Sequence, residues 1–394
     1  MCKVDNEKLF GIIDNYKFEI FELSDYLAQN FEVSGKEYNS SKYIAKFLRS
    51  KDLDVEIPFK DEETAFKCTS KRYRKENTRK IAILAEYDAL PEIGHACGHN
   101  NSCAISILTM LAVRDYIEEN TDFQIDLIGT PDEEVGGGKI RLLNKHAFDE
   151  YEYTIMAHMF KSNVSDVKLL ATSDIEATFI GKPSHASQSP WTGRNALNAL
   201  QLYFNAIDMM RQQTTEDTRI HGIIKEGGTL VNIIPEKTVA YNCQRALTLD
   251  TLEDVTSRMR DCAKGAALAT QTEVIINEDF VRYGDISYKP TANNLLNTIF
   301  EELGLEYEKK AVVLGSSDIG NVDKYIPCIH PLVYIGKDNV DLHTKELEEL
   351  TKSELGHNAI INATKLLSKF IISTINDTKL IDNIKKEHKQ YRKL

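Results

Sequence analysis

The chain has 394 residues, 42% of them hydrophobic and 27% charged, which is typical of a globular protein with about two domains. Its formal net charge of −12 argues against nucleic acid or an anionic membrane as a partner. No apolar run approaches the roughly 20 residues that a membrane-spanning helix needs. Seven scattered cysteines do not suggest a disulfide framework, and Met1–Glu7 lacks the apolar core of a signal peptide. We therefore expect a cytoplasmic protein.

Helical and apolar segments alternate in the first 170 residues. Helices are predicted over Asn6–Asn30, Ser40–Ser50 and Ala104–Tyr116, because their apolar residues recur at helical spacing. The highly charged segment Lys60–Thr78 is predicted to be a solvated loop. Short apolar runs predict strands over Val55–Phe59, Ile81–Leu84, Ile125–Ile128 and Tyr153–Ala157.

The middle of the chain, from about Ala171 to Asp285, has a different pattern. Amphipathic helices are predicted over Gly193–Arg211 and Thr251–Ala269, between strands. Two βαβ-like halves of this size indicate a small α+β domain inserted into the first. The predicted strands are Ile175–Ile180, Ile220–Ile224, Val239–Arg245 and Glu273–Asn277.

The remaining sequence returns to the first pattern, with strands predicted over Ala311–Leu314 and Leu332–Ile335. The lysine-rich end, Asp377–Leu394, is predicted to be a solvated helical tail. We therefore assign 1–170 and 286–394 to an α/β domain with a mixed sheet flanked by helices, and 171–285 to the inserted domain.

Polar side chains follow the predicted strands of the α/β domain. Because ligands bind beyond the carboxyl ends of the strands in such sheets, these side chains can face one cleft. Thiol, imidazole and carboxylate groups are the ligands of catalytic metal centres. The side chains are Glu86, Asp88, Cys97 and His99; Asp132, Glu133 and Glu134; His158; Ser316, Ser317 and Asp318; and Asp341 and His343.

The adjacent carboxylates of Glu133 and Glu134 suggest a division of labour. On a turn at the end of a strand, one can bind a metal ion while the other takes a proton from metal-bound water. The glycines that follow let the backbone turn tightly beside the site. The alternative interpretation of the Glu-Glu pair alone is an exposed acidic turn.

A set of short motifs in a fixed order resembles the aminoacylase/carboxypeptidase family of co-catalytic metallopeptidases. The similar branch contains the p-aminobenzoyl-glutamate hydrolase subunits and related dipeptidases. The motifs are EYDALP at 86–91, HACGHN at 95–100, PDEEVGGG at 131–138, AHM at 157–159, GKPSHAS at 181–187, GGT at 227–229, NIIP at 232–235, GSSDIGNV at 315–322 and HT at 343–344.

The resemblance implies a zinc-peptidase-like catalytic domain that holds two divalent metal ions (zinc, manganese or cobalt). Cys97 would bridge the two ions. His99 and His158 would complete one site, and Glu134 and His343 the other. Asp88 would orient a ligand. No role is assigned to Glu86.

The same resemblance implies roles in catalysis and substrate binding. Glu133 would be the general base and later the proton donor to the leaving amine. His185, in a ferredoxin-like lid and dimerisation domain, would reach a neighbouring subunit's site and stabilise the oxyanion. Asn232, Arg245 and Ser316 are expected to contact the substrate, although Arg245 can alternatively be a strand arginine in a surface ion pair.

The sequence thus predicts a homodimeric hydrolase that cleaves the amide bond of a dipeptide or N-acyl amino acid with metal-bound hydroxide. Acyl amino acids resembling p-aminobenzoyl-glutamate and dipeptides with a basic residue both remain open as substrates. Outside enzymes, the alternative is a metal-poor binding or regulatory subunit of a hetero-oligomeric amidohydrolase. No nucleic-acid or membrane partner is expected.

Overall fold

The computed structural model describes residues 4–70, 78–117, 122–313 and 315–393. The expectations for residues 1–3, for 71–77 of the charged loop, and for positions 314 and 394 lie outside these ranges. The chain divides into two compact units. The outer unit is formed by Met1–Lys168 and Ile286–Leu394, and the inserted unit by Leu169–Asp285.

The regular elements are numbered in chain order. The helices are α1 (Asn6–Gln29), α2 (Tyr38–Ser50), α3 (His99–Tyr116), α4 (Gly138–Asn144), α5 (Ala196–Met210), α6 (Leu249–Thr270), α7 (Pro290–Glu302), α8 (Ile319–Asp323), α9 (Lys345–Thr351), α10 (Glu354–Asn376) and α11 (Thr378–Tyr391). The strands are β1 (Leu53–Glu56), β2 (Phe66–Ser70), β3 (Arg79–Ala85), β4 (Phe123–Gly129), β5 (Tyr151–Ile155), β6 (His158–Phe160), β7 (Val167–Lys168), β8 (Ala171–Ile180), β9 (Arg219–Glu226), β10 (Lys237–Ala246), β11 (Glu273–Asn277), β12 (Val312–Val313), β13 (Cys328–Ile329) and β14 (Leu332–Tyr334).

The outer unit is built on a six-stranded mixed sheet with the order β1-β2-β4-β3-β5-β13. Strands β4, β3, β5 and β13 are parallel, and β1 and β2 continue the sheet in antiparallel fashion. Residues 81–85 of β3 are fully buried, as is nearly all of α3, which packs between β3 and the helices α1 and α10. Because the parallel strands end at the same edge of the sheet, the segments after β3, β4 and β5 emerge side by side.

The inserted unit has the order βαββαβ along the chain, from β8 to β11. Its four strands form an antiparallel sheet with the order β11-β8-β10-β9, which is the ferredoxin-like arrangement. Helices α5 and α6 cover one face, where the alternate residues Ile175, Ala177 and Phe179 of β8 are completely buried. The predicted fold class, an α/β domain with an inserted α+β domain, is confirmed.

Three predictions about local structure were wrong in part: the solvated loop, the end of the first strand, and the solvation of the C-terminal segment, whose helical character is correct. Strand β2 lies within the predicted solvated loop; its charged and polar side chains alternate with buried Phe66, Cys68 and Ser70. Strand β1 ends at Glu56, before Pro58, which has no backbone N–H to donate to a neighbouring strand. The C-terminal helix α11 is amphipathic, and its Ile381 and Ile384 are buried in the core of the outer unit. Within the described ranges, no helix combines the length and apolar character needed to cross a bilayer.

Candidate metal centre

Cys97 and His99 flank a glycine at the start of α3. Gly98 adopts a left-handed φ of 83° immediately before the helix. A Cβ atom there would lie 2.8 Å from Cβ of Met159, so both conformation and space favour glycine. The turn therefore presents the thiol and the imidazole to the edge of the sheet where β3, β4 and β5 end.

Two groups of ligand atoms meet at Cys97. One consists of Cys97, His99 and His158, and the other of Cys97, Glu134 and His343; within each group the ligand atoms lie within 4.8 Å of one another. Sγ of Cys97 is 3.3 Å from Nε2 of His158, and Nε2 of His343 is 3.6 Å from Oε2 of Glu134. The structure thus brings the five predicted ligands together, with the thiol common to both groups.

The imidazoles of His99 and His158 are oriented by contacts at Nδ1. Nδ1 of His99 lies 3.0 Å from the backbone carbonyl oxygen of Asp88 and 3.0 Å from its carboxylate Oδ1. Nδ1 of His158 lies 2.8 Å from the carbonyl oxygen of Met159. A hydrogen bond at Nδ1 fixes the ring and leaves Nε2 as the metal-binding atom. Asp88 thus lies where it can orient His99, and its role as an orienting residue stays a prediction.

His343 is held close to Cys97 by the backbone. Its N–H donates a hydrogen bond of 2.8 Å to the carbonyl oxygen of Ala96. The residue has a φ of 62°, a left-handed conformation that costs a non-glycine residue about 1 kcal/mol or more. Its side chain is about half exposed, whereas that of Glu134 is almost fully buried, so this end of the centre opens to solvent.

The donor set fits divalent metal ions. Nε2 of His99 and Oε1 of Glu134 are buried without a hydrogen-bond partner, which is costly unless another group coordinates them. Burial raises the pKa of the Cys97 thiol. A bound cation would reverse this effect, since metal binding stabilises the thiolate. One thiolate, three imidazoles and a carboxylate are suitable ligands for zinc, manganese or cobalt.

Glu133 belongs to two further groups of potential ligands, one with His99 and Glu134 and one with Glu86 and Asp318. In each group, one ligand atom of every residue lies within 4.8 Å of the others. We call Glu86, Glu133 and Asp318 the inner carboxylate group. Desolvation by burial, followed by the charges of Glu86 and Asp318, raises the pKa of Glu133 well above its usual range. Burial alone would lower the pKa of the adjacent Lys139. The negative charges of Asp318 and Glu86 outweigh this effect, so the pKa of the lysine is raised. Lys139, which follows three glycines, was not identified from the sequence.

Residues far from the motifs support the loop that carries Glu133 and Glu134. Oδ2 of Asp88 accepts hydrogen bonds of 3.0 Å from the backbone N–H of Glu134 and from Oγ of Ser34. The Ser34 hydroxyl also lies 2.7 Å from Oδ1 of Asp132, and Oε1 of Glu37 accepts from the N–H of Asp132 at 3.0 Å. No sequence pattern pointed to Ser34 or Glu37, because their contact with this loop is purely tertiary.

In the inserted unit, His185 and Asn232 lie on neighbouring segments. The N–H of Ala186 donates to the carbonyl oxygen of Asn232 at 3.0 Å. Nδ1 of His185 accepts from the backbone N–H groups of Ser187 and Gln188 at 3.3 and 3.2 Å. Since Nδ1 is an acceptor, the proton of the neutral ring resides on Nε2, which can donate a hydrogen bond to a ligand.

The other two predicted substrate contacts are partly buried. Arg245 lies on β10 near Cys243, and its Nε is buried without a hydrogen-bond partner. Oγ of Ser316 is also buried without a partner, two residues before Asp318 of the inner carboxylate group. Contact of either residue with a substrate stays a prediction.

The fold and the ligand cluster define a metallopeptidase or amidohydrolase, and comparison with known proteins agrees. The sequence matches Peptidase family M20/M25/M40 over residues 82–373, so the chain belongs to this family. It is 35% identical over 316 residues to the Xaa-Arg dipeptidase of Mus musculus, covering 78% of this chain and 73% of the relative. The predicted family membership is therefore confirmed, and the chain is an enzyme of this class.

More distant relatives extend over nearly the whole chain. A p-aminobenzoyl-glutamate hydrolase subunit of Escherichia coli is 23% identical over 447 aligned positions, covering 94% of this chain and 92% of the relative. The crystal structure of a dinuclear metal-binding peptidase of the M20 family from Bacillus subtilis superposes with a TM-score of 0.70 at 16% identity. The superposition covers 92% of this chain and 99% of that structure, and supports the fold alone.

Proposed function

We propose that this chain is a dinuclear metal-dependent hydrolase that cleaves the amide bond of a small linear substrate. The observation that carries the proposal is the sharing of Cys97 by two ligand groups, one with His99 and His158 and the other with Glu134 and His343. A single ligand common to two adjacent groups suits a bridged pair of ions.

Bound ions would polarise the scissile carbonyl and lower the pKa of a coordinated water to about 7. In this proposal, the Glu133 carboxylate accepts the proton of the attacking water and returns it to the leaving amine. Its raised pKa favours the protonated form needed for the second step. The positive charge of nearby ions would moderate that shift, which suits a group that must both accept and donate a proton.

The inserted unit supplies groups that suit the rest of the substrate. Nε2–H of His185 is oriented by the two bonds to Nδ1 and can donate to the developing oxyanion. Nε of Arg245 is buried without a hydrogen-bond partner, so the guanidinium can bind a substrate carboxylate. Asn232, held beside His185 through Ala186, can bind a carbonyl or carboxylate group.

The proposed homodimer forms through the inserted unit, so that His185 serves the site of the second subunit. Strand β9 is an edge strand, and its Ile223 and Ile224 are 60% and 52% exposed. On α5, Leu202 and Met209 lie two helical turns apart, and Met209 is 76% exposed. An unpaired apolar edge is a template for pairing with another strand, and a second copy of this chain offers the same edge.

As the substrate class we propose dipeptides with a C-terminal arginine or lysine. The support is the identity to two proteins named Xaa-Arg dipeptidase, 35% for the mouse and 34% for the human protein. The p-aminobenzoyl-glutamate hydrolase relative, at 23% identity, makes N-acyl glutamates the second choice. Arg245 suits both classes, because each contains a free carboxylate.

The free cysteines fit the expected cytoplasmic location. Cys68, Cys97, Cys103, Cys243, Cys262 and Cys328 all have free thiols in the described structure. Thiols persist where glutathione and thioredoxin keep them reduced. We therefore retain a cytoplasmic location as a proposal.

A substrate screen tests the proposed function. The purified chain is loaded with Mn²⁺, Zn²⁺ or Co²⁺ and assayed with Ala-Arg, Ala-Lys, Ala-Glu, N-acetyl-arginine and p-aminobenzoyl-glutamate, beside a Glu133→Gln control. We expect hydrolysis of the basic dipeptides that requires metal and is lost in the control. Metal binding without hydrolysis of any compound would contradict the proposal. Absence of both would favour the metal-poor subunit.

A further inference from the structure

A fully buried lysine lies among the inner carboxylates. Nζ of Lys139 is 2.5 Å from Oε1 of Glu86 and 2.6 Å from Oδ1 of Asp318. The lysine and Asp318 have no solvent exposure, and Glu86 has almost none. A buried ammonium is strongly unfavourable unless carboxylates compensate it, so the positions of these charges depend on one another.

The position of the ammonium is one that a metal ion could take. Oxygen atoms of Glu86, Glu133 and Asp318 lie close enough together to serve as ligands of one cation. Carboxylate oxygens are also the ligands that hard divalent cations prefer. In this chain, the lysine ammonium contacts two of these three carboxylates and so supplies the positive charge itself.

Lys139 also fixes the orientation of the Asp318 and Glu86 carboxylates. Its backbone N–H donates to Oδ2 of Asp318 at 2.8 Å, so both oxygens of that carboxylate are bound to the same residue. Glu86 is bound through Oε1, and its Oε2 has no hydrogen-bond partner and lies 3.4 Å from Nε2 of His99. The lysine therefore holds the inner carboxylate group directly beside the metal ligand His99.

We propose that Lys139 is the resident cation of the inner carboxylate group. As a positioning residue, it excludes a divalent ion from the space between Glu86, Glu133 and Asp318 and leaves the ions to the ligand groups beside Cys97. Glu133 is then not recruited as a ligand together with Glu86 and Asp318, and its carboxylate can serve in proton transfer. The consequence for Glu133 rests on the proposed function, whereas the exclusion of metal does not.

Removal of the lysine should therefore add a metal site. Without the ammonium, the three carboxylates repel one another across a few ångströms, and a divalent ion is the compensating charge at hand. We expect Lys139→Ala to bind one more Mn²⁺ per subunit than the wild-type protein. We also expect kcat to fall about 10- to 100-fold with KM little changed, because Lys139 is completely buried and its charge acts on Glu133.

The test is equilibrium dialysis of the full chain against Mn²⁺, with bound metal measured by elemental analysis. Lys139→Met serves as a second variant that retains the aliphatic volume. Lys289→Ala is the matched control, because Lys289 is also buried and ion-paired, at 2.7 Å from Asp323. Asp323 belongs to no potential metal-binding group among the described residues. The control should lose stability but bind as many ions as the wild type.

An additional ion in either folded Lys139 variant, but not in Lys289→Ala, supports the proposal. Equal stoichiometry in all proteins overturns it. So does loss of folded protein in both Lys139 variants, since the lysine would then serve folding. A wild-type protein that binds Mn²⁺ but hydrolyses nothing would refute the proposed function and leave the difference in stoichiometry as a separate result.

Discussion

The two units carry their candidate functional residues in opposite ways. In the outer unit, His99 and His158 are buried, and each has a second contact that fixes its ring. In the inserted unit, His185 and Asn232 are exposed and are held mainly by backbone hydrogen bonds. Both kinds of histidine are oriented by their own unit, but the buried ones sit among metal-ligand atoms, whereas the exposed His185 depends on a ligand or a partner for contact at Nε2. Variants that alter the contacts of metal ligands in the outer unit should therefore change metal binding, whereas variants of the inserted unit should change turnover alone.

Glu133→Ala should have the largest effect. Loss of general base and acid catalysis costs about 10²- to 10⁴-fold in kcat, while metal content and thermal stability should stay near wild type. Glu133→Gln tests the same chemistry with the shape retained, and Glu349→Gln, an exposed glutamate on α9, is the control. Turnover within tenfold of wild type in Glu133→Ala would remove this residue as the base.

His185→Ala should lower kcat about 10²- to 10³-fold, the usual effect of removing an oxyanion donor. Because the residue lies in the inserted unit, bound metal and stability should not change. His146→Ala, with a side chain that is 78% exposed in the outer unit, is the control. Mixed dimers of His185→Ala and Glu133→Ala subunits should recover part of the activity. Absence of any recovery would argue against a site shared between subunits.

Asp88→Asn should act through the metal. The variant weakens the contact at Nδ1 of His99 and the bond to the N–H of Glu134, so metal affinity should fall about 10- to 100-fold. Excess metal should restore most of the turnover, which distinguishes it from the Glu133 variants. Titration with a fluorescent chelator measures the affinity; an unchanged dissociation constant would show that Asp88 does not orient a ligand.

The sequence predicts which residues of the metal centre come together, but it does not predict how their side chains are oriented. Cys97, His99, Glu134 and His158 follow three strands whose ends share one edge of a sheet, so their convergence follows from topology. Their orientation depends on contacts across the fold, such as that between Ser34 and Asp132, for which the local sequence carries no signal.

Strand β2 was missed because its alternation of buried and partly exposed residues lies within a highly charged segment. In β2, Lys67 and Thr69 are partly exposed and dominated the interpretation of Lys60–Thr78 as a loop, although Phe66 and Cys68 point inward. Lys139 was overlooked for a related reason. A lysine after glycines is usually exposed, and only the fold shows that it is enclosed by carboxylates.

Substitution of Glu37 should have the smallest effect, a change in how the free energy of unfolding depends on pH. Desolvation by burial, with the charges of Asp88 and Asp132, raises the pKa of this carboxyl from 4.5 to about 7 in the folded protein. The folded state thus binds the proton more tightly than the unfolded state. The resulting stabilisation is complete below pH 4.5 and is lost as the pH rises through about 7.

Glu37→Gln stays neutral and can still accept the hydrogen bonds of Gly35 and Asp132. The free energy of unfolding of Glu37→Gln, relative to that of the wild type, should therefore rise by roughly 3 kcal/mol between these two pH limits. Urea unfolding of chelator-treated protein measures the difference at both ends of the interval. A constant difference would show that Glu37 does not titrate in this interval.

The central claim is that Cys97 joins two metal sites. A crystal structure of the zinc-loaded protein, with anomalous difference maps at the zinc edge, tests it directly. We expect two ions per subunit, each about 2.3 Å from Sγ of Cys97, with His99 and His158 on one and Glu134 and His343 on the other. A single ion, or two ions without Cys97 between them, would contradict it.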